Sequence, residues 1–148
     1  MDYFIGTYEY SLDDKNRLSI PSKIRKVIAE LFQNKCMLTK FEDGYLTLYP
    51  YDIWQDRFGN RAAKLPRSND DAKRLRRLLG MNSMEASLDT QGRIAVPTEY
   101  CQHAGIKKKV LILGCMDEVQ IWSPKRYQEV SQSPEERSAK EELKKFGF

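Results

Sequence analysis

The chain has 148 residues, of which 41% are hydrophobic, and a formal net charge of +4. This length suffices for one ordinary domain or two very small ones, and the apolar content excludes disorder throughout. A single histidine and three widely spaced cysteines disfavour a structural zinc site and a disulfide framework. Because the N-terminus lacks the basic region and apolar run of a signal peptide, and no apolar stretch is long enough to span a membrane, we expect a cytoplasmic protein.

The first elements are predicted in the order strand, turn, strand and helix. Residues 3–12 are rich in tyrosine, phenylalanine and isoleucine, which favour a strand. Residues 13–16 are typical of a turn, and the alternating residues 17–20 predict a half-buried strand. Apolar residues at helical spacing predict a helix over 22–32, with Ser22 as its candidate N-cap.

A hairpin and a basic helical segment complete the first half of the chain. Residues 36–39 are predicted to pair with residues 45–49. Residues 61–79 are helical in composition and rich in lysine and arginine, with Ser68 or Asn69 as the candidate N-cap. Two interpretations of this basic segment stay open, a surface for phosphate groups and a solvated helix face.

The second half repeats the first. The sequence Ser-Leu-Asp at residues 11–13 returns at residues 87–89, and the arginine and proline that follow return at the same spacing, a shift of 76 residues. Residues 46–49 recur at 119–122 with a shift of 73. A repeat of this size indicates two copies of one module. The repeated aspartate and arginine are residues that a core does not need, so function is sought there.

The copies predict the same elements with small differences. A shorter helix is expected to begin at Pro97 and to end at Gly105, and residues 110–113 are predicted to form a hairpin with 119–122. The charged residues after Ser131 predict a surface helix or a partly ordered tail.

Two motifs of the form Asp-x-x-x-Arg, at residues 13–17 and 89–93, are each followed by an apolar-x-apolar-Pro sequence. With residues 121–123 (Ile-Trp-Ser), they make the chain resemble the bacterial MraZ family over residues 4–130. The resemblance implies an α+β fold, a pseudo-two-fold swapped-hairpin β-barrel shared with AbrB-type regulators. Two β-α-β modules and flanking helices would form it. The implied division is a first module at 4–54, a helical basic connector at 55–81, a second module at 82–128 and a C-terminal helix or tail at 129–148.

The resemblance also implies a function. Members of the family are sequence-specific DNA-binding transcriptional regulators, usually repressors, which bind repeated boxes in the promoter of the division and cell-wall gene cluster. They assemble into rings, for which an octamer is one candidate size. The implied partners are double-stranded DNA in the nucleoid and further copies of the chain, with no membrane, metal or cofactor.

The candidate DNA-binding residues are cationic or amide side chains in and behind the two motifs: Arg17, Lys15, Arg93, Gln91 and Lys23. Arginine offers a planar fork of donors that suits phosphate and the edge of guanine, and lysine suits phosphate. Because the first copy is the more basic, we expect it to contribute more of the affinity. A solvated helix face stays open as the alternative for Lys23.

The candidate turn-bracing residues are Asp13, Asp89, Asn16 and Gly92. Each aspartate is positioned to pair with the arginine four residues later. Asn16 and Gly92 precede the arginines, and both residue types tolerate a left-handed backbone. The family usually has glycine at the first of these positions, and we expect Asn16 to preserve the turn.

Two other function classes fit less well. An aspartic-protease-like enzyme would need a carboxylate pair that shares a proton, whereas Lys15 and Arg17 favour an ionised Asp13. We therefore expect no enzyme activity. An antitoxin-like protein- and DNA-binding module usually has one short copy and a disordered tail, whereas this chain has two full copies and a short tail.

Overall fold

The computed structural model describes residues 3–148, which form an α+β fold with an antiparallel sheet. Met1 and Asp2, the first residues of the segment considered for a signal peptide, lie outside the described residues. The strands are β1 (Thr7–Ser11), β2 (Arg17–Ser19), β3 (Cys36–Thr39), β4 (Leu46–Pro50), β5 (Ser83–Glu85), β6 (Arg93–Ala95), β7 (Lys109–Cys115) and β8 (Glu118–Trp122). The helices are α1 (Ser22–Phe32), α2 (Tyr51–Trp54), α3 (Asn60–Ala63), α4 (Asp70–Met81), α5 (Thr98–Ala104), α6 (Pro124–Ser131) and α7 (Pro134–Lys145), and a π-helical turn (Gln55–Gly59) joins α2 to α3.

Local sequence signals account for most of these elements. The helix over 22–32 is confirmed as α1, and both predicted hairpins are confirmed as β3–β4 and β7–β8. Helix α5 ends where it was expected to end, because Gly105 adopts a left-handed conformation with φ 67°. Asn69 is confirmed as the cap of α4, since its side chain accepts a hydrogen bond from the N–H of Ala72.

Three expectations differ from the structure. The strand over 3–12 shortens to β1, because only residues from Thr7 onward form a continuous ladder with β7. Ser22 is not an N-cap: it is the first residue of α1, and the extended Pro21 precedes it without a side-chain cap. The segment 61–79 is not one helix, because α3 ends at Ala63 and α4 begins at Asp70. The break contains Pro66, which cannot donate a helical hydrogen bond.

The sheet is built by exchange between the two copies of the repeat. The six-stranded sheet has the order β1-β7-β8-β4-β3-β5, and every pairing in it is antiparallel. Strand β1 of the first copy pairs with β7 of the second, and β5 of the second copy pairs with β3 of the first. The two hairpins meet where β4 pairs with β8. The strand order is therefore the same read from either copy.

Strands β2 and β6, one from each copy of the repeat, form a separate antiparallel pair. The core is apolar and drawn from equivalent positions of both copies. Its largest fully buried side chains are Leu18, Ile20, Ile24, Ile28, Leu38, Leu46, Leu48, Ile94, Ile112, Ile121, Val96 and Val110. Because each copy supplies part of one shared core, the motif turns that precede β2 and β6 are both anchored to that core.

We expect Gly114→Ala to lower the free energy of unfolding by about 1–3 kcal/mol, as overpacking does. Gly114 lies in β7, and a Cβ atom there would lie 2.4–2.6 Å from the backbone N, C and Cα of Ile5. The N–H of Gly114 also donates to the carbonyl of Gly6 at 2.8 Å, so the backbone cannot easily retreat. Urea unfolding measures the effect.

Gly80→Ala is the matched control for this substitution. Gly80 lies in α4, and a Cβ atom there would have no neighbour within 4 Å. We expect alanine to stabilise the protein at this site by up to about 1 kcal/mol, because glycine is a poor helix former. Equal effects of the two substitutions would contradict the close approach at Gly114.

Candidate nucleic-acid interface

The first motif forms a turn that is organised by one carboxylate. The Oδ1 atom of Asp13 accepts hydrogen bonds from the backbone N–H groups of Lys15 at 2.9 Å and Arg17 at 2.8 Å. Its Oδ2 atom accepts a bond from the Nε of Arg17 at 2.7 Å. The N–H of Asp13 donates to the carbonyl of Arg17, and the N–H of Asn16 donates to the carbonyl of Asp13. The aspartate thus fixes both the backbone of the turn and the direction of the guanidinium.

The second motif repeats this arrangement bond for bond. The Oδ1 atom of Asp89 accepts from the N–H groups of Gln91 at 2.8 Å and Arg93 at 2.9 Å, and Oδ2 accepts from the Nε of Arg93 at 3.0 Å. The backbone bonds between Asp89, Gly92 and Arg93 also recur. The repeated polar residues therefore form the same local structure twice.

The two turns stand side by side because β2 and β6 pair. In this pair Leu18 lies opposite Ile94, and both are fully buried. The ladder extends into each turn, since the N–H of Ile20 donates to the carbonyl of Gly92 and the N–H of Val96 donates to that of Asn16. These two bonds are equivalent under the shift of 76 residues, so the turns are related by a pseudo-two-fold axis through the Leu18–Ile94 pair.

The two arginines share one charged surface. The Nη1 atom of Arg93 lies 3.8 Å from the Oδ2 atom of Asp13, which links the second motif to the first. The side chains of Arg17 and Arg93 are 34% and 21% exposed, so each guanidinium is held by its aspartate and still faces solvent. A surface of this kind can present donors to an anionic partner without first ordering them.

The carboxylates are held in the ionised form. The backbone N–H of Arg17, together with its guanidinium and the N–H of Lys15, holds the pKa of Asp13 below its ordinary value of 3.8. The backbone N–H of Arg93, with the N–H of Gln91 and the guanidinium of Arg93, lowers the pKa of Asp89 in the same way. Both turns are therefore intact at neutral pH.

The left-handed positions differ between the copies. Asn16 has φ 57° and Gly92 has φ 75°. The amide of Asn16 donates to the hydroxyl of Thr98 at 3.5 Å. At Gly92 a Cβ atom would lie 2.3 Å from the Cδ and Nη1 atoms of Arg25, so the arginine side chain lies across the second turn. Glycine there meets two demands, the backbone conformation and the space that Arg25 occupies.

The structure places the remaining candidates at the edges of the turns. Lys15 and Gln91 enter the turns through their backbone N–H groups, and their side chains are exposed. Lys23 is exposed in the first turn of α1 and is not part of either hydrogen-bonded turn. The structure therefore brings together the aspartates and arginines and leaves Lys23 outside the two turns.

Two contacts could not be read from the motifs. Arg25 lies in α1, and its contact with Gly92 spans the two copies; its equivalent in the second copy is the buried Cys101. Arg93 approaches Asp13 across the pseudo-two-fold axis. Aligning the copies shows that Arg25 has no counterpart, but it does not show what Arg25 touches.

Residues 3–148 contain no group of three or more histidine, cysteine, aspartate or glutamate side chains that could hold a metal ion. No helix in that range is both long enough and apolar enough to cross a membrane.

Protonation in acid should remove the contribution that the two ionised carboxylates make to stability. A group whose pKa is lowered by folding stabilises the protein above its unfolded pKa, and this contribution is lost as the pH falls through the folded pKa. We expect Asp13→Asn/Asp89→Asn to be less stable than the original chain at pH 6. Urea unfolding at several pH values should show this difference shrinking below about pH 3.8. A difference that stays constant down to pH 2 would contradict the role of the charged form.

Comparison with known proteins places the chain in a family. A family model described as "MraZ protein, putative antitoxin-like" matches it twice, over residues 3–78 and 79–147. Proteins named transcriptional regulator MraZ are 36% identical to it: that of Clostridium beijerinckii covers 88% of each chain, and that of Clostridium acetobutylicum covers 92% of each. The protein of that name from Mycobacterium ulcerans is also 36% identical, over 90% of each chain. The resemblance carried by the twin motifs is thereby confirmed, and the chain belongs to the MraZ family.

Proposed function

We propose that this protein is a transcriptional regulator that binds double-stranded DNA sequence-specifically through its two arginine turns. The observation that carries the proposal is the pair of identically bonded turns, adjacent across β2–β6, with Arg17 and Arg93 facing solvent. The names of the relatives support the regulatory role.

The geometry of each arginine suits recognition of nucleic acid. The Nε group is occupied by the aspartate, which leaves the Nη groups to donate to phosphate oxygens or to the O6 and N7 atoms of guanine. Since exposed ion pairs contribute little to stability, stability alone gives no reason to keep the same pair in both copies. Lys15 and Gln91 lie in the two turns and Lys23 is exposed in α1, and we assign the further phosphate and base contacts to these three residues.

The fold is proposed to be the swapped-hairpin barrel of AbrB-type proteins, formed here within one chain. The exchange of β1 and β5 between the copies supports this assignment, as does the pseudo-two-fold relation of β2 and β6. The two modules are residues 4–54 and 82–128, joined by the basic connector at 55–81 and followed by the C-terminal helical segment at 129–148, which contains α7.

The assembly is proposed to be a ring that binds repeated boxes in the promoter of the division and cell-wall gene cluster and represses it. One copy of the chain offers only two arginine turns and therefore few phosphate contacts. When several chains are linked in a ring, binding of one chain raises the effective concentration of its neighbours at the adjacent boxes. A ring therefore binds repeated boxes more tightly than single chains do. The working location is the cytoplasmic nucleoid.

An antitoxin-like role is the second candidate, because the description of the matching family model includes it. It would add a protein partner to the DNA contact. The helix α7 in the C-terminal segment does not favour it, since the expected feature is a disordered partner-binding tail.

We expect Arg17→Ala and Arg93→Ala each to weaken binding to the chain's own upstream DNA roughly fivefold or more, because a bidentate base contact contributes about 1–3 kcal/mol of discrimination. A mobility-shift titration on this DNA and on a scrambled duplex measures the loss. Light scattering of the free protein should show an unchanged oligomer size.

Arg137→Ala is the matched control, since Arg137 is an exposed arginine on α7. It removes the same charge far along the chain from both turns and should leave the affinity within about twofold of the original, as distant surface changes do. Full affinity of Arg17→Ala and Arg93→Ala would refute the DNA role of the turns.

A further inference from the structure

Four lysines converge on one open groove outside the two turns. Lys107, Lys108 and Lys109 run into the start of β7, and Lys125 lies in the first turn of α6. All four are exposed, and they line a groove together with Ser123 and Pro124. We refer to these four residues as the lysine groove.

The sheet places the lysine groove next to the first turn. The carbonyl of Lys108 accepts a hydrogen bond from the N–H of Leu12 at 2.8 Å, and Lys109 lies opposite Ser11 in the β1–β7 ladder. Leu12 directly precedes Asp13, the residue that organises the turn. The second copy thus supplies cationic residues next to the start of the first turn.

The charge of the lysine groove is not neutralised within the described chain. No carboxylate of residues 3–148 lies within salt-bridge distance of any of its four lysines. Glu9 lines the groove that adjoins Lys109, and Glu129 lines the one that adjoins Lys107 and Lys125, which leaves an excess of positive charge. Lys125 also lies at a helix N-terminus, where a cation is unfavourable.

The neighbouring Arg126, unlike the four lysines, has a structural role. Its guanidinium donates to the backbone carbonyls of Gly44 at 3.1 Å and His103 at 2.9 Å, and so ties the hairpin loop to the end of α5. The lysines have no such role, because their side chains extend into solvent.

The repeat itself does not require the lysines. The strand register aligns β7 with β3 under a shift of 74 residues and β8 with β4 under a shift of 73, so the equivalent positions in the first copy are Gln33, Asn34, Lys35 and Asp52. That set has one cation and one anion, whereas the lysine groove has four cations. Both copies form the same order of strands and helices, so the fold does not depend on lysine at these positions.

We propose that the lysine groove binds the phosphate backbone of the duplex that the arginine turns contact. Lysine acts as a compact point charge that suits phosphate, and such contacts position a protein on DNA without reading its sequence. The inference rests on the proposed function. It adds a sequence-independent anchor on the side of the first turn, with no equivalent on the side of the second.

The test replaces all four lysines by glutamine and, in a parallel variant, by arginine. We expect Lys107→Gln/Lys108→Gln/Lys109→Gln/Lys125→Gln to bind upstream and scrambled duplexes about tenfold or more weakly, by similar factors, since phosphate carries no sequence information. The slope of log K against log salt should fall by about 0.9 for each phosphate that the variant no longer neutralises. The four-arginine variant keeps the charge and should bind like the original.

Lys140→Gln/Lys144→Gln on α7 is the control outside the lysine groove, since both lysines are exposed and neither lines the groove. An unchanged salt slope in the four-glutamine variant, with Arg17→Ala still defective, would overturn the lysine groove and leave the proposed function standing. A loss of DNA binding that accompanies a change in oligomer size would also overturn it, because the lysines would then serve an interface between copies. A complete lack of DNA binding by the original chain would overturn both proposals.

Discussion

The antiparallel contact between β2 and β6 is the constraint on which the remaining structure depends. Each strand has only three residues, and a two-stranded pair of this size has little stability of its own. Leu18 and Ile94 hold it in place by lying at its centre within the shared core. The same exchange continues in the large sheet, where β1 and β5 each pair with a strand of the other copy. A single copy would leave these strand edges unpaired, so the module is complete only as a pair.

The position of the motif turns follows from this contact. The ladder of β2 and β6 runs directly into the turns through the carbonyls of Asn16 and Gly92, so neither turn can move without its neighbour. Within each turn the aspartate satisfies two backbone N–H groups and one guanidinium. Local hydrogen bonding by aspartate is a common way to build such turns. Here it also sets the direction of an arginine, which couples the stability of the turn to the surface that it presents.

Structural features that depend on a few neighbouring residues could be predicted from the sequence. The helix over 22–32, both hairpins, the end of α5 at Gly105 and the cap at Asn69 depend on periodicity or on one residue's conformational preference. The cap at Ser22 was wrong because Pro21 already occupies the extended position before the helix. The π-helical turn at residues 55–59 has no simple sequence signal.

Contacts between distant residues were beyond the reach of pattern and spacing. A repeat says that there are two copies, but it does not say that β1 pairs with the other copy's hairpin; that exchange was implied only by the resemblance. For the candidate site, the repeat identified the aspartates and arginines. It could not identify Arg25 against Gly92 or Arg93 beside Asp13, because each contact joins residues that lie tens of positions apart.

The differences between the copies have a consequence for binding. A protein with two identical turns about a two-fold axis would bind a duplex equally well in either of two opposed orientations. This chain departs from that symmetry on both sides, with Arg25 across the second turn and the lysine groove beside the first. Under the proposed function the two orientations therefore differ in phosphate contacts, and one is preferred. Repeated boxes that all point the same way would then align successive chains in one direction, and a ring of head-to-tail subunits requires this arrangement.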